Sequence, residues 1–160
     1  MALAVMKIID KLTAIEGDGD AISNIFDLEE SLLSRDDCLH LDDMKYRHWF
    51  APGLYGREIT MPGDLVLTTM VHASEHIAFM LKGEMTIYSE SGVSVMKAGD
   101  TMITKIGTKR AIRTHSEVVF TTVHANPDNE TDVDKLVKKM TFNEDQYIEF
   151  KNKNLIEGKR

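Results

Sequence analysis

From Met61 to Gly107 the chain repeats one unit: a short segment of β-forming residues followed by a glycine turn. The turns fall at Pro62-Gly63, Gly83, Ser91-Gly92, Gly99-Asp100 and Gly107. This rhythm belongs to a small β-sandwich or barrel. The segments between the turns predict strands over Tyr55–Met61, Leu65–His72, Ile77–Leu81, Glu84–Ser89, Gly92–Lys97, Thr101–Lys105, Arg110–Thr114 and Val118–His124. After Asn126-Pro127-Asp128 the hydrophobic period lengthens. Val133, Leu136, Val137 and Met140 fall on one helical stripe that Thr131 or Asp132 can cap, and Asn143-Glu144-Asp145-Gln146 reads as the start of a last helix.

Upstream of the strands, Val5, Ile8, Ile9, Leu12 and Ile15 have helical spacing within Leu3–Ile15. Asp27 with Glu30 predicts the capped start of a second helix ending near Leu33. The organisation expected is therefore a helical extension over residues 1–54, a barrel over 55–127, and a second helical extension over 128–160 whose end, from Lys151, frays. The Gly17-Asp18-Gly19-Asp20 stretch lacks the remaining ligands and the closing glutamate of a calcium loop, and reads as a solvated turn.

Composition narrows the setting. The chain has 26 acidic and 19 basic residues, a net charge of −7, which disfavours a nucleic-acid or anionic-membrane surface. No window approaches the roughly 20 apolar residues of a membrane span. The first residues lack a signal peptide's basic and apolar regions, and the single cysteine, Cys38, has no internal partner. A cytoplasmic protein is expected. The ten methionines read as core filler.

The chemistry concentrates in His72 to Gly83, where His72 and His76 stand four residues apart at the start of an apolar strand. Neutral imidazoles suit zinc, nickel, copper or iron(II), and equally suit hydrogen bonds to a bound molecule. Cys38 lies outside the barrel without an activating base, and no P-loop, nucleophile elbow or paired-cysteine motif occurs. No catalytic residue is assigned.

These residues resemble the first motif of the cupin family of small jelly-roll barrels. Anchored on Gly83, the family's glutamate position falls at His76, its second histidine at His72 and its first at Met70, with Pro62-Gly63 as the opening turn. In the second motif Gly99 and Gly107 keep the family spacing, while Lys105 replaces a proline, Arg110 a metal-binding histidine and Thr114 an asparagine. The resemblance covers Arg57 to Pro127. The segments Gly107-Thr108-Lys109-Arg110 and Thr122-Val123-His124-Ala125-Asn126-Pro127 also look like small cupin-like proteins of tailed bacteriophages.

The resemblance implies an all-β cupin-type double-stranded β-helix with short helices at both ends. It makes Met70 and His72 face the barrel interior, with His76 and His124 at the same mouth. His72, His76 and His124 are then the candidate metal ligands, for a divalent zinc, nickel, iron or copper ion, with Glu58 or Glu75 as an oxygen donor. Arg110, Arg57, Met70 and Glu58 are the candidate ligand-binding residues. Arg110 would repel a metal, yet would hold a carboxylate or phosphate bidentately if it faced inward; its structural alternative is an ion pair with Glu58 or Glu84. Lys105, Lys109 and Arg113 read as solvated charges, and His40, His48 and His115 as structural or surface residues. The function expected is binding of a small, anionic ligand, in a phage-encoded accessory protein. The alternatives are a metal-dependent lyase, isomerase or oxygenase, a metal-free epimerase with a histidine base, and an assembly protein with a vestigial cavity. The expected partners are that small molecule and a second copy of the chain, a homodimer, with no nucleic acid and no membrane.

Overall fold

The computed structural model describes residues 12, 21–36 and 44–157. Two antiparallel sheets face one another. The first has five strands in the order β1 (Lys45–Ala51), β2 (Gly53–Met61), β10 (Val118–Asn126), β5 (His76–Lys82), β8 (Thr101–Thr104). The second has the order β3 (Val66–Thr68), β9 (Ala111–Thr114), β6 (Glu84–Ser89), β7 (Gly92–Lys97). Apart from the β1–β2 and β6–β7 hairpins, successive strands of the two sheets alternate between them, so that β2-β10-β5-β8 lies over β3-β9-β6-β7; this is the double Greek key of an eight-stranded jelly roll. The fold is all-β, a cupin-type double-stranded β-helix with short helices toward both ends.

Alternation builds the core. Ala78 and Met80 on β5, Met85 and Ile87 on β6, Ile112 on β9 and Phe120 on β10 turn inward with Met61, Met96 and Val118. Methionine supplies four of these core side chains, as expected of an unbranched, adaptable filler. Gly83 makes the β5–β6 turn at φ +87°, where a Cβ would collide with the Glu117 carbonyl; only glycine fits.

The strand expectations hold with two changes. A strand not expected as such, β1, forms a hairpin with β2 across Pro52-Gly53, with Ala51 opposite Leu54. Leu65–His72 is not one strand but two, β3 and β4 (Val71–His72), because the ladder to β9 ends at Thr68.

Three helices are described: α1 (Ala21–Leu33), α2 (Val133–Met140) and α3 (Glu144–Glu157). The α1 helix starts at Ala21, so Asp27 is an interior residue rather than a cap, and the expected helix over Leu3–Ile15 lies outside the described residues, as do Cys38 and His40. Ile25 and Leu28 of α1 pack with Tyr88 and Ala111 on the outer face of the second sheet. The α2 helix is capped by Asp132, whose side chain accepts from Lys135 N. Asn143 and Gln146 close a reciprocal capping box at the start of α3, each backbone N–H donating to the other's side-chain oxygen at 3.0 and 2.9 Å. From that start α3 continues through Lys151 to Glu157 instead of fraying. No helix among the described residues is long and apolar enough to cross a membrane.

Between α2 and α3, β11 (Thr141–Phe142) pairs with β4, Thr141 opposite His72. Leu136 and Met140 of α2 pack on Tyr55. The α2–β11 segment thereby closes the barrel end at which β4, β5 and β10 present their histidines.

Candidate functional site

Register decides which side chains meet. Across the first sheet, Tyr55 of β2 stands opposite His124 of β10, and His76 of β5 opposite Thr104 of β8. Next to the Val123–Ile77 pair, His124 and His76 come together with ring centroids 4.2 Å apart. His72 joins them from β4, its ring 4.8 Å from that of His76. The His72 backbone is fixed by the loop after β8: its carbonyl accepts from Gly107 N at 2.7 Å and its N–H donates to the Thr108 carbonyl at 3.0 Å. Gly107 holds φ +82° there, with the Phe150 ring where a side chain would begin.

Arg110 reaches the same place from the second sheet. It shares parity with the inward Ile112 and Thr114, and its Nη2 donates to Thr104 Oγ1 at 2.9 Å, the hydroxyl of the residue opposite His76. Arg110 is 5% exposed. Among the described residues it has no ion pair. The two carboxylates expected as structural partners are committed elsewhere, Glu58 to Arg47 at 3.6 Å and Glu84 to Lys97 at 3.2 Å.

Burial governs the charges. It lowers the pKa of His72 to about 3, helped by His76 and Arg110. It lowers His124 to about 3, helped by His76 and Arg57. His76 falls to about 4, burial again leading, partly opposed by a hydrogen bond to the Ser74 carbonyl and reinforced by Arg110. All three imidazoles are neutral at physiological pH. Burial also lowers Arg110, to about 10, so it remains a cation. Three buried nitrogens in this cluster have no hydrogen-bond partner among the described residues: His72 Nε2, His76 Nε2 and His124 Nδ1. In native proteins such atoms are few, and each calls for an explanation.

The remaining candidates divide. Arg57 lies on the inner row of β2, its guanidinium 4.5 Å above the Tyr46 ring, near enough to depress His72, His124 and His48. Glu58, one residue on, alternates to the outer face and is bound there by Arg47 and the Thr121 hydroxyl. Met70 does not share the inward face of His72. The chain leaves the sheet at Thr69–Met70, and Met70, 45% exposed, lines an outer groove with Phe26, Lys109 and Tyr147. That groove, of about 610 Å³, has no residue in common with the histidine cluster.

Lys109 is no solvated charge. Only 3% of its side chain is exposed, and Nζ donates to both Glu29 carboxylate oxygens at 3.0 and 2.9 Å and to the Thr69 carbonyl at 2.9 Å. Lys105 is exposed and Arg113 half-buried, as expected of outer-face charges.

One residue escaped the sequence reading. Tyr55, fully buried, donates to or accepts from His48 Nδ1 at 2.8 Å, and the rings of Tyr46, His48, Tyr55, His124, His76 and His72 follow one another from the rim inward. The signal was the alternation Tyr46, His48, Phe50 on a strand that pairs with β2. His115 is structural as expected, its Nε2 2.7 Å from Thr86 Oγ1.

The cupin resemblance implies a divalent metal at this cluster. Neutral imidazoles with unpaired nitrogens have the right chemistry, but among the described residues no three His, Cys, Asp or Glu side chains are disposed to hold a metal ion. A guanidinium stands beside them. As arranged, the described residues form no complete metal site.

No known protein-family model matches the chain, and no curated protein matches its sequence. Solved structures do resemble it in shape. A Photorhabdus luminescens protein aligns at 12% identity over 62% of this chain and 90% of its own, with a TM-score of 0.49. A cupin-2 domain containing protein from Shewanella frigidimarina aligns at 12% identity over 63% and 92%, with a TM-score of 0.45. An uncharacterised conserved protein with a double-stranded β-helix domain from Klebsiella pneumoniae aligns at 15% identity over 57% and 84%, with a TM-score of 0.47.

Proposed function

We propose that the closed end of the barrel binds a small anion, with Arg110 as its principal electrostatic contact and Arg57 as a second cation at the rim. One observation carries this reading: Arg110 is buried without an ion pair among the described residues, while the one hydrogen bond its guanidinium makes among them, to Thr104, leaves most of its five N–H donors for another acceptor. A buried, uncompensated cation costs several kcal/mol by typical estimates, and a carboxylate or phosphate on the guanidinium fork removes that cost.

Calorimetric titration with acetate, succinate and inorganic phosphate tests the reading. Binding that Arg110→Gln weakens at least tenfold supports it; affinity indifferent to that substitution overturns it. The metal-dependent enzyme is the second reading, favoured by the clustering of three neutral imidazoles. One equivalent of a transition metal in untagged protein, lost in His72→Ala and His76→Ala, would replace the first reading with this one.

The homodimer proposal rests on the outer face of the first sheet. There the register partners Ile77 and Ile103 are 47% and 68% exposed beside the unpaired edge of β8. Sedimentation of the parent and of Ile103→Glu reads it directly: a dimer that dissociates in the variant supports it, and a monomeric parent overturns it.

A further inference from the structure

Hydrogen-bond bookkeeping at the histidines specifies more than the charge of the bound molecule. The His76 Nδ1 atom lies 3.3 Å from the Ser74 carbonyl, which can only accept, so Nδ1 carries the proton. In a neutral ring the other nitrogen is then a bare lone pair. That nitrogen, Nε2, is buried and has no partner among the described residues.

His124 repeats the pattern. Its Nε2 is 3.0 Å from Thr122 Oγ1, and that hydroxyl also lies 3.4 Å from the Arg57 carbonyl, a group that can only accept and so draws the hydroxyl proton. Thr122 therefore accepts from His124 Nε2–H, and the partnerless Nδ1 is the second bare lone pair. The two rings are 4.2 Å apart at their centroids. Beside them stands Arg110, which has only donors.

A plain carboxylate or phosphate satisfies the guanidinium and leaves both lone pairs unanswered. Resting on the anion-binding reading above, we propose that the molecule bound here is a small hydroxylated acid: its carboxylate or phosphate oxygens accept from Arg110, and its own hydroxyl donates to His76 Nε2, with a second donor reaching His124 Nδ1. The shared chemistry is an anion with an adjacent hydroxyl; carboxylate and phosphate are separated by experiment.

The test is a set of matched pairs differing only in hydroxyls: acetate and glycolate, succinate and tartrate, propyl phosphate and glycerol 3-phosphate, each titrated into parent protein and His76→Phe. The hydroxylated member of at least one pair should bind about tenfold more tightly, the effect expected of one further hydrogen bond to a buried, otherwise unpaired group. In His76→Phe the preference should vanish while affinity for the deoxy member remains. Which pair shows the effect identifies the anion. If both members of every binding pair bind equally, the inference fails and the anion reading survives; if none of the six binds, both fail. Two-bond 1H–15N correlation of histidine-labelled parent protein gives an answer independent of any variant's folding: protonated His76 Nδ1 and His124 Nε2 support the proposal, and the opposite tautomers overturn it. Stoichiometric metal on these nitrogens also overturns it.

Discussion

Lys109 and Arg110 are neighbours in the chain, both buried, both cationic, and they face opposite sides of the barrel wall. On the outer side Lys109 is fully answered, by a carboxylate, a carbonyl and the face of Phe26 at 4.5 Å. On the inner side Arg110 meets one hydroxyl and three uncharged imidazoles. The difference separates two uses of a buried charge. The first fixes α1 to the barrel through Glu29, which also accepts from Thr68. The second leaves hydrogen-bonding capacity unspent at the one place where the histidines converge.

Acid should break the inner side first and produce the largest effect. Each histidine titrates near 6.5 when unfolded and far lower when folded, so between those values the unfolded chain holds more protons and stability falls with pH. By pH 5 the penalty is about 2 kcal/mol for each ring, at about 1.4 kcal/mol per pH unit. Urea unfolding between pH 7.5 and 5 should show a steep loss that His124→Phe reduces by about a third. A flat profile would mean that the imidazoles are hydrated and the inner side is not dry.

The outer side breaks by removal of its carboxylate. Glu29→Gln strands a lysine that is 3% exposed, and unpaired buried charges cost about 3 kcal/mol or more. Lys109→Met should cost less, since Glu29 keeps contact with water, and the double variant should recover part of the loss. Chemical denaturation of the three proteins checks that order. Equal losses for the two single variants would mean that Glu29 is as dry as its partner.

How legible this was from sequence depends on range. The jelly roll followed from local chemistry, because glycine turns and two-residue alternation are written in consecutive residues; β6 and β7 begin and end where those signals put them. His72, His76 and His124 converge as their strand parities suggested. Lys109 was misread because its partner lies 80 residues away on α1, and no local pattern reports such a distance. Met70 was misread because a ladder that ends at Thr68 cancels the alternation on which its inward position rested. The β1 strand, and with it Tyr55's hydrogen bond to His48, fell outside a barrel expected to begin at residue 55, because the register that makes Pro52-Gly53 a hairpin joins residues on both sides of that boundary.

That hydrogen bond offers a third, smaller break, at the rim of the inner side. Tyr55→Phe keeps the ring that α2 packs on and removes the hydroxyl 2.8 Å from His48 Nδ1. The expected loss is about 1 kcal/mol, typical of one intramolecular hydrogen bond. It should come without change in the tautomer of His124, which Thr122 fixes. Histidine 15N spectra of the variant check the second half: a switched His124 would mean that the ring chain acts as one unit.

The smallest expected effect sharpens the comparison most. Arg110→Met replaces an unpaired buried cation with an unbranched apolar chain of similar reach. The guanidinium's burial penalty disappears, and what is lost is one hydrogen bond to Thr104. These oppose one another, and exchanges of buried charge for packed apolar groups are commonly neutral or stabilising. Stability should therefore stay within about 1 kcal/mol of the parent, against the larger loss from Glu29→Gln across the wall, while anion binding falls away. A protein that keeps its fold and loses its ligand places Arg110 on the side of function. If Arg110→Met instead destabilises as strongly as Glu29→Gln, the guanidinium supports the fold, and the two cations differ in partner but not in purpose.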